Sequence, residues 1–393
     1  VQCRICSVDD NSNRVIIGKG MLFDQGKMSK SEEVALPPSM IKIISDGTFE
    51  GELDICLVSK KVSEYNALTY QYINALNISF DTLKEIADEF IDKMKDVLRS
   101  PEKAMEFLGM VCTDETDYDD KLTSKVMQAL DANPASLFDP WIQTKLKDTM
   151  KKVYLEMAKG RLFVRGGYRF CATEPALLVN PANRLLKAGQ AYMNGLTGIV
   201  SLFRSPLLHA SQVPVLELVT SPELEAHYGQ LNDIIIFNSY DASLYIAGGA
   251  DNDGDKFFVC FDERITNCVE KRDIVIIDKG TGAPTVDINY ENLIDFMKDH
   301  LTVSLVGHAT DLATTWLDLY RSVDNKIARA EFDGKVISLT KLQGRIIDSA
   351  KNDDVVSIDR SLETKFRPHW LERKASDMIE VYHSTSPMGQ LYD

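Results

Sequence analysis

The sequence predicts an α+β chain in which two small β-barrels alternate with helical segments. Residues 14–60 contain short apolar or alternating runs of strand length. Residues 63–160 change to apolar positions at i, i+3, i+4 and i+7, the period of a helix. Residues 161–265 return to many short apolar runs punctuated by Gly, Pro and Asn, and helical spacing resumes after about residue 290. The expected organisation is a first barrel over 1–62, incomplete or not, a helical connector over 63–160, a second barrel over 161–265 and a mainly helical region over 266–393. A chain of 393 residues is long enough for two or three cores.

The strands expected first are "RVIIGKGMLF", "EEVALPPSMIKII" and "ELDICLVS". The helices are "YNALTYQYINALN", "SFDTLKEIADEFIDKMKDVLRS" and "SLFDPWIQTKLKDTMKKVYLEMAKG". Ser79 or Asp81 caps the second of these, and Gly160 stops the third. The second strand set is "RLFVRGGYRF", "ALLVN", "GIVSLF", "VPVLELV", "DIIIFN", "SLYIAGG" and "DKFFVCFD". The last helices are "YENLIDFMKDHL", "ATDLATTWLDLYRSVDNKIARA" and "ISLTKLQGRIIDSAKN".

Composition is that of a globular protein, 44% hydrophobic and 26% charged. No apolar stretch approaches the roughly 20 residues of a membrane span, and the polar first thirteen residues do not read as a signal peptide. The absence of an initial methionine suggests a processed product or a piece of a larger protein. Seven scattered cysteines suggest reduced thiols rather than a disulfide framework, and Cys3-x-x-Cys6 lacks partners for a zinc site. Net charge is −15, which argues against nucleic acid on average. The acidity is concentrated in residues 81–120, whereas residues 151–170 carry three lysines and three arginines against one glutamate.

The stretch "GGADNDGDKFFV" places Asp251, Asp253 and Asp255 within five residues, with Gly254 between the last two. Such charges repel unless neutralised, and carboxylates are hard ligands suited to Mg²⁺. The competing reading is a solvated acidic turn. A calcium loop of the EF-hand type fits poorly, because its sixth and twelfth positions, Gly and Glu, are here Lys256 and Asp262.

Two other stretches bear on that choice. "FRSPLLHASQ", about forty-five residues before the aspartates, sets Arg204, Pro206 and His209 in the frame Arg-x-Pro-x-Leu-His. Followed by Asp-x-Asp-Gly-Asp, this frame resembles the catalytic barrel of two-barrel RNA polymerases, among them the cell-encoded RNA-dependent RNA polymerases of silencing and single-chain phage RNA polymerases. "VIIGKGMLFD" and "LPPSMIKI" resemble the companion barrel of the single-chain members, with Lys19 and Lys42 at its two lysine positions. "SLVGHATDLATTWL", "LQGRIIDSAKND", "FRPHWLE" and "YHSTSPMGQLYD" resemble later segments in the same order. Departures are Asn252 for the usual aromatic or aliphatic residue, Pro37 for arginine, and "HASQ" for "HPGD".

The resemblance implies two double-psi β-barrels and a nucleotidyltransferase that joins a 3′-hydroxyl to the α-phosphate of a nucleoside triphosphate, working with two Mg²⁺ ions. It implies Asp251, Asp253 and Asp255 as metal ligands, and Lys19 and Lys42 as phosphate-facing cations. Arg204 would donate to ribose hydroxyls, and Lys256 is a phosphate neighbour or a solvent-facing lysine. His209 reads as a brace for its loop rather than a catalytic group. The partners expected are nucleoside triphosphates, a nucleic-acid template, the RNA product and further parts of a larger polymerase, with no membrane. The expected compartment is cytoplasmic or nuclear, including a phage or viral protein in host cytoplasm. The departures put a DNA template slightly ahead of an RNA template. The readings of another class are a Mg²⁺-dependent phosphohydrolase or nuclease and a non-catalytic nucleic-acid-binding barrel.

Overall fold

The computed structural model describes residues 2–9, 14–22, 41–44, 52–57, 64–111, 120–178, 180, 182, 184–277, 290–291, 294, 305–349, 356–371 and 379–393. The chain opens with β1 (Gln2–Asp9), β2 (Arg14–Met21), β3 (Ile41–Ile44) and β4 (Glu52–Leu57). After β5 (Tyr65–Ala67) come α1 (Tyr70–Ala75), α2 (Phe80–Lys93), α3 (Pro101–Val111), α4 (Asp120–Ala132) and α5 (Pro140–Ala158). The second strand set is β6 (Phe163–Thr173), β7 (Gln190–Tyr192), β8 (Gly198–Phe203), β9 (Val215–Leu218), β10 (Ile234–Phe237) and β11 (Lys256–Cys260). The short helices α6 (Pro222–Tyr228) and α7 (Ser243–Ile246) flank β10. The chain closes with α8 (Glu263–Thr266), α9 (Leu305–Ser322), α10 (Lys326–Ser349), β12 (Phe366–Pro368), β13 (Glu380–Tyr382) and α11 (Pro387–Tyr392). Contacts divide it into two compact units, with breaks after Val62, Gly166, Leu202, Val213 and Val259.

The first unit holds residues 1–62, 167–202 and 214–259. Its four N-terminal strands form an antiparallel sheet in the order β3-β2-β1-β4. Closure of that sheet into a barrel lies outside the described residues. β6 to β11 form a ring in the order β10-β7-β9-β8-β11-β6, which closes because β10 also pairs in parallel with β6, Ile234 opposite Phe170 through Phe237 opposite Thr173. Both faces of β10 are covered: Ile234, Ile235, Ile236 and Phe237 are all buried, which is why this strand reads as an unbroken apolar run. Phe170, Tyr192, Tyr228, Ile234 and Ile236 pack in one core with Met21 from the end of β2.

Two expected strands are helical turns instead. "ALLVN" forms a 3₁₀ turn at Pro175–Leu178, since a proline fixes the backbone angle that the first position of a helical turn needs. "SLYIAGG" gives α7, which stops where Gly248 and Gly249 adopt φ of 65° and 68°, the left-handed region.

The second unit holds residues 63–166, 203–213 and 260–393. Ser79 is the cap of α2, accepting from Thr82 N–H, and Leu83, Ile86 and Phe90 are its buried stripe. The helix expected from Tyr65 begins instead at Tyr70, because Tyr65–Ala67 pairs antiparallel with the start of β6. Asp139 caps α5 through Trp141 and Ile142 N–H, and Gly160 follows its end with φ of 87°. A Cβ there would meet the Tyr70 backbone at 3.0 Å, so glycine is required twice over. The run expected as one helix from Ala309 to Ala330 breaks into α9 and α10, which share a core of Leu312, Trp316, Val336 and Leu339 with Leu208. The helix expected over "YENLIDFMKDHL" lies almost wholly outside the described residues.

Asp318 of α9 is fully buried and collects the C-terminal strands. Its Oδ1 accepts from Trp370 Nε1 at 2.8 Å and Ser386 Oγ at 2.5 Å, with Ser384 Oγ at 2.9 Å, and its Oδ2 accepts from Tyr382 OH at 2.7 Å. Burial, and then the Asp318 carboxylate, hold the Tyr382 phenol well above its usual range.

Candidate metal centre and its supporting loops

The three aspartates lie in the turn between α7 and β11. Gly254, with φ of 116°, reverses the chain between Asp253 and Asp255, a conformation that L side chains rarely adopt. As a result one carboxylate oxygen from each of Asp251, Asp253 and Asp255 lies within 4.8 Å of the others. The turn is held from inside: Asp255 Oδ2 accepts from Asp251 N–H at 3.0 Å, and Asp251 Oδ1 accepts from Asp253 N–H at 3.2 Å. Three carboxylates at that separation repel, and an all-oxygen donor set of this charge fits a hard divalent cation such as Mg²⁺.

β6 fixes the turn from the barrel side. Cys171 N–H donates to Asp255 O at 3.1 Å, and Cys171 Sγ lies 3.3 Å from Asp251 O. Asn252 Oδ1 accepts from Thr173 N–H at 3.0 Å, with Thr173 Oγ1 at 3.4 Å. The polar residue that departs from the expected pattern thus has a specific partner. Next to Thr173, buried Glu174 accepts the N–H groups of Leu185, Leu186 and Ser239 at 2.8, 3.1 and 2.9 Å, tying the neighbouring loops together. Sequence reading missed Cys171, Thr173 and Glu174; the one available signal was a polar Asn252 in a place usually apolar.

The other expected residues fall as follows. Lys256 opens β11 half-buried, its ammonium 5.0 Å from the centre of the Phe170 ring. Lys19 lies on β2 opposite Arg4 of β1. Lys42 lies on β3 where the register slips: Ile17 faces Ile43 and Gly18 faces Ile41, so Lys42 is the extra residue of a bulge. The side chains of both lysines, and those of Cys3 and Cys6, lie outside the described residues, as does Pro37. Among the described residues, Cys171, Cys260 and Cys268 form no disulfide.

Arg204 belongs to the loop 203–213 of the second unit and is half-buried. That loop is firmly fixed. Tyr72 stacks on Phe203 with centroids 4.9 Å apart, Tyr72 OH meets Ser205 Oγ at 3.2 Å, and Pro206 O accepts from Gln343 Nε2 at 2.7 Å. His209 is buried and caps the turn at Ala210–Gln212. Its Nδ1 accepts from Ser211 N–H at 3.2 Å, so the proton sits on Nε2, which donates to Asp333 Oδ1 at 3.3 Å. With both nitrogens engaged, His209 is a brace. Its hydrogen bond, helped by the charges of Arg272 and Arg321 against the cost of burial, holds the Asp333 carboxyl below the ordinary carboxylate range.

A second group of potential ligands, His369, His383 and Asp393, has donor atoms equally close. His369 Nδ1 accepts from Ser384 N–H at 3.1 Å, so Nε2 carries the proton and donates to Asp393 at 3.0 Å. A metal-bound histidine needs the reverse, a protonated second nitrogen that donates, so this group is a hydrogen-bonded cluster and not a metal site.

A family model described as "RNA dependent RNA polymerase" matches residues 14–393. RNA-dependent RNA polymerase 1 of Arabidopsis thaliana is 22% identical over 378 residues, covering 93% of this chain and 32% of the relative. RNA-dependent RNA polymerase 6 of the same plant is 22% identical over 405 residues, covering 95% and 31%. The chain therefore spans about a third of the length of these relatives. Among solved structures, RNA dependent RNA polymerase QDE-1 from Thielavia terrestris superposes with a TM-score of 0.64 at 15% identity, covering 99% of this chain and 47% of that one. This likeness is one of fold, and it identifies the closed six-stranded ring as the double-psi barrel that the sequence motifs imply.

Proposed function

The chain belongs to the RNA-dependent RNA polymerase family, and from that premise we propose that it is the catalytic core of a polymerase that copies an RNA template with ribonucleoside triphosphates. The observation that carries this reading is the convergence of Asp251, Asp253 and Asp255 on one turn of the closed barrel. The slight preference for a DNA template drawn from the sequence departures gives way: the family model and the curated relatives both favour the RNA-templated alternative.

Asp251, Asp253 and Asp255 would hold the divalent cations, which when bound stabilise charge on the attacking and leaving oxygens of the phosphoryl transfer. The chain's own residues supply the rest. Thr173 and Cys171 hold the aspartate turn in place, so little reorganisation is needed on substrate binding. Lys19 and Lys42 would bring positive charge to the triphosphate, the second from a bulge, a feature that re-aims a residue out of the regular pleat. Lys256 would remain beside Phe170 as a neighbouring cation. Arg204, on a loop braced by His209 and Gln343, would donate to the ribose hydroxyls of nucleotide or product end. Transcription on matched single-stranded RNA, single-stranded DNA and double-stranded DNA templates tests the proposal. Incorporation on RNA is expected, and incorporation on DNA alone would overturn the template assignment.

A further inference from the structure

Helix α5 buries Ile142, Leu146, Val153 and Met157 and turns its other side outward. That outer side combines cations with aromatic rings. Lys147 and Lys151 are exposed one helical turn apart, Tyr154 is 58% exposed and Trp141 is 46% exposed. Neither lysine has an acidic partner among the described residues. Like charges at i and i+4 disfavour an isolated helix, and exposed rings gain nothing from burial. Exposed Asp148, three residues before Lys151, offsets part of the first cost, but with Lys152 the exposed charges of this side are still three lysines to one aspartate. That balance runs against the whole chain, which has 59 acidic and 44 basic residues.

We propose that the outer face of α5 binds single-stranded RNA, with Lys147 and Lys151 on phosphates and Tyr154 and Trp141 against unpaired bases. The identity of the polymer rests on the polymerase reading above. The surface chemistry favours nucleic acid over protein, because unpaired lysines complement a polyanion and aromatic rings offer stacking faces. It favours single strands over duplex, whose bases are already stacked and whose edges a flat helix face does not reach.

The test is fluorescence anisotropy of a labelled oligouridylate of about 12 nucleotides, within the usual range of single-strand sites, with the full chain, magnesium chelated and no nucleotide present. The double variant Lys147→Gln/Lys151→Gln is expected to bind about tenfold more weakly at low salt. Its plot of log affinity against log salt should be shallower by about 1.4, two phosphates at about 0.7 each. Tyr154→Ala should weaken binding at least about fivefold at every salt concentration, and Tyr154→Phe should restore it. Wild-type affinity and slope in variants with wild-type circular dichroism would overturn the proposal. So would variants whose sedimentation changes while RNA binding does not, since the face would then contact protein. Binding here needs no catalysis, so the two readings fail separately. RNA bound through α5 without synthesis sinks only the polymerase, and synthesis with unaltered variant binding sinks only this surface.

Discussion

Asn252 Oδ1 lies 3.0 Å from the backbone nitrogen of Thr173, and this bond ties the aspartate turn to the end of β6. Asn252→Ala removes it, leaving a half-exposed N–H that water can serve, at a cost of about 1 kcal/mol. If that cost falls on the turn, the magnesium concentration for half-maximal incorporation rises about fivefold, with a smaller change in rate at saturating magnesium. A magnesium titration of nucleotide incorporation checks this, and an unshifted midpoint would show that Asn252 does not position the ligands.

Asp253 stands between the other two ligands. Asp253→Ala should abolish nucleotide incorporation while circular dichroism and the denaturation midpoint stay near wild type, because the residue is only half-buried. Full synthesis by this variant would remove the aspartates from the chemistry.

At Arg204 the planar guanidinium can give two directed hydrogen bonds, which a lysine cannot reproduce. A hydrogen bond from a charged group contributes about 1.5–3 kcal/mol, or ten- to a hundredfold. Arg204→Lys is therefore expected to lower ribonucleotide incorporation by roughly that factor and to narrow discrimination against deoxyribonucleotides. Magnesium affinity should stay as in wild type. Unchanged rate and sugar selectivity would return Arg204 to a structural role.

Asp318 gathers Trp370, Tyr382, Ser384 and Ser386 around a fully buried carboxylate. Asp318→Ala leaves several buried donors unserved at about 1–3 kcal/mol each, a loss of about 4 kcal/mol or more. Asp318→Asn keeps one acceptor oxygen and should lose less. Urea denaturation followed by tryptophan fluorescence, which reports on Trp370, measures both. Equal stability of the alanine variant would contradict the hub.

The depressed Asp333 carboxyl makes an acid-side prediction. A group whose folded pKa lies below its unfolded value adds stability above the unfolded pKa, and that contribution disappears as pH falls through the folded one. The wild-type protein should therefore lose stability on acidification below about pH 4, near the ordinary aspartate value, more steeply than Asp333→Asn does. His209→Ala should flatten the same limb, since the histidine is the largest cause of the shift. Parallel acid limbs in denaturation curves from pH 6 to below pH 4 would refute it.

What could be read from the sequence was what local spacing encodes. The run Ile234–Phe237 is legible because both strand faces are buried, and the aspartate turn because Gly254 sits inside it. β5 was hidden in a stretch with helical period, since its partner on β6 lies about a hundred residues away. "ALLVN" has strand composition, but Pro175 opens a turn there. The loop of Arg204 was visible as a motif, whereas Gln343, which holds it, is set by folding alone. The same holds for Thr173 and Asn252, whose side chains say nothing of each other until the barrel has closed.

The closure of β6 onto β10 and β11 also fixes when the site can exist during synthesis. β11 leaves the ribosome roughly 90 residues after β6, about 4–17 s at ordinary elongation rates. For roughly the first 60 residues of that interval neither later ring neighbour of this eleven-residue strand has been made, and after β10 has emerged the β11 side of the strand is still unpaired. The aspartate turn directly precedes the strand that completes the ring, so a ribosome stalled before residue 260 holds a chain with an open sheet edge and an unfinished metal site. Loss of chaperone cover in that window should therefore appear as aggregation of incomplete chains, before any defect in finished ones.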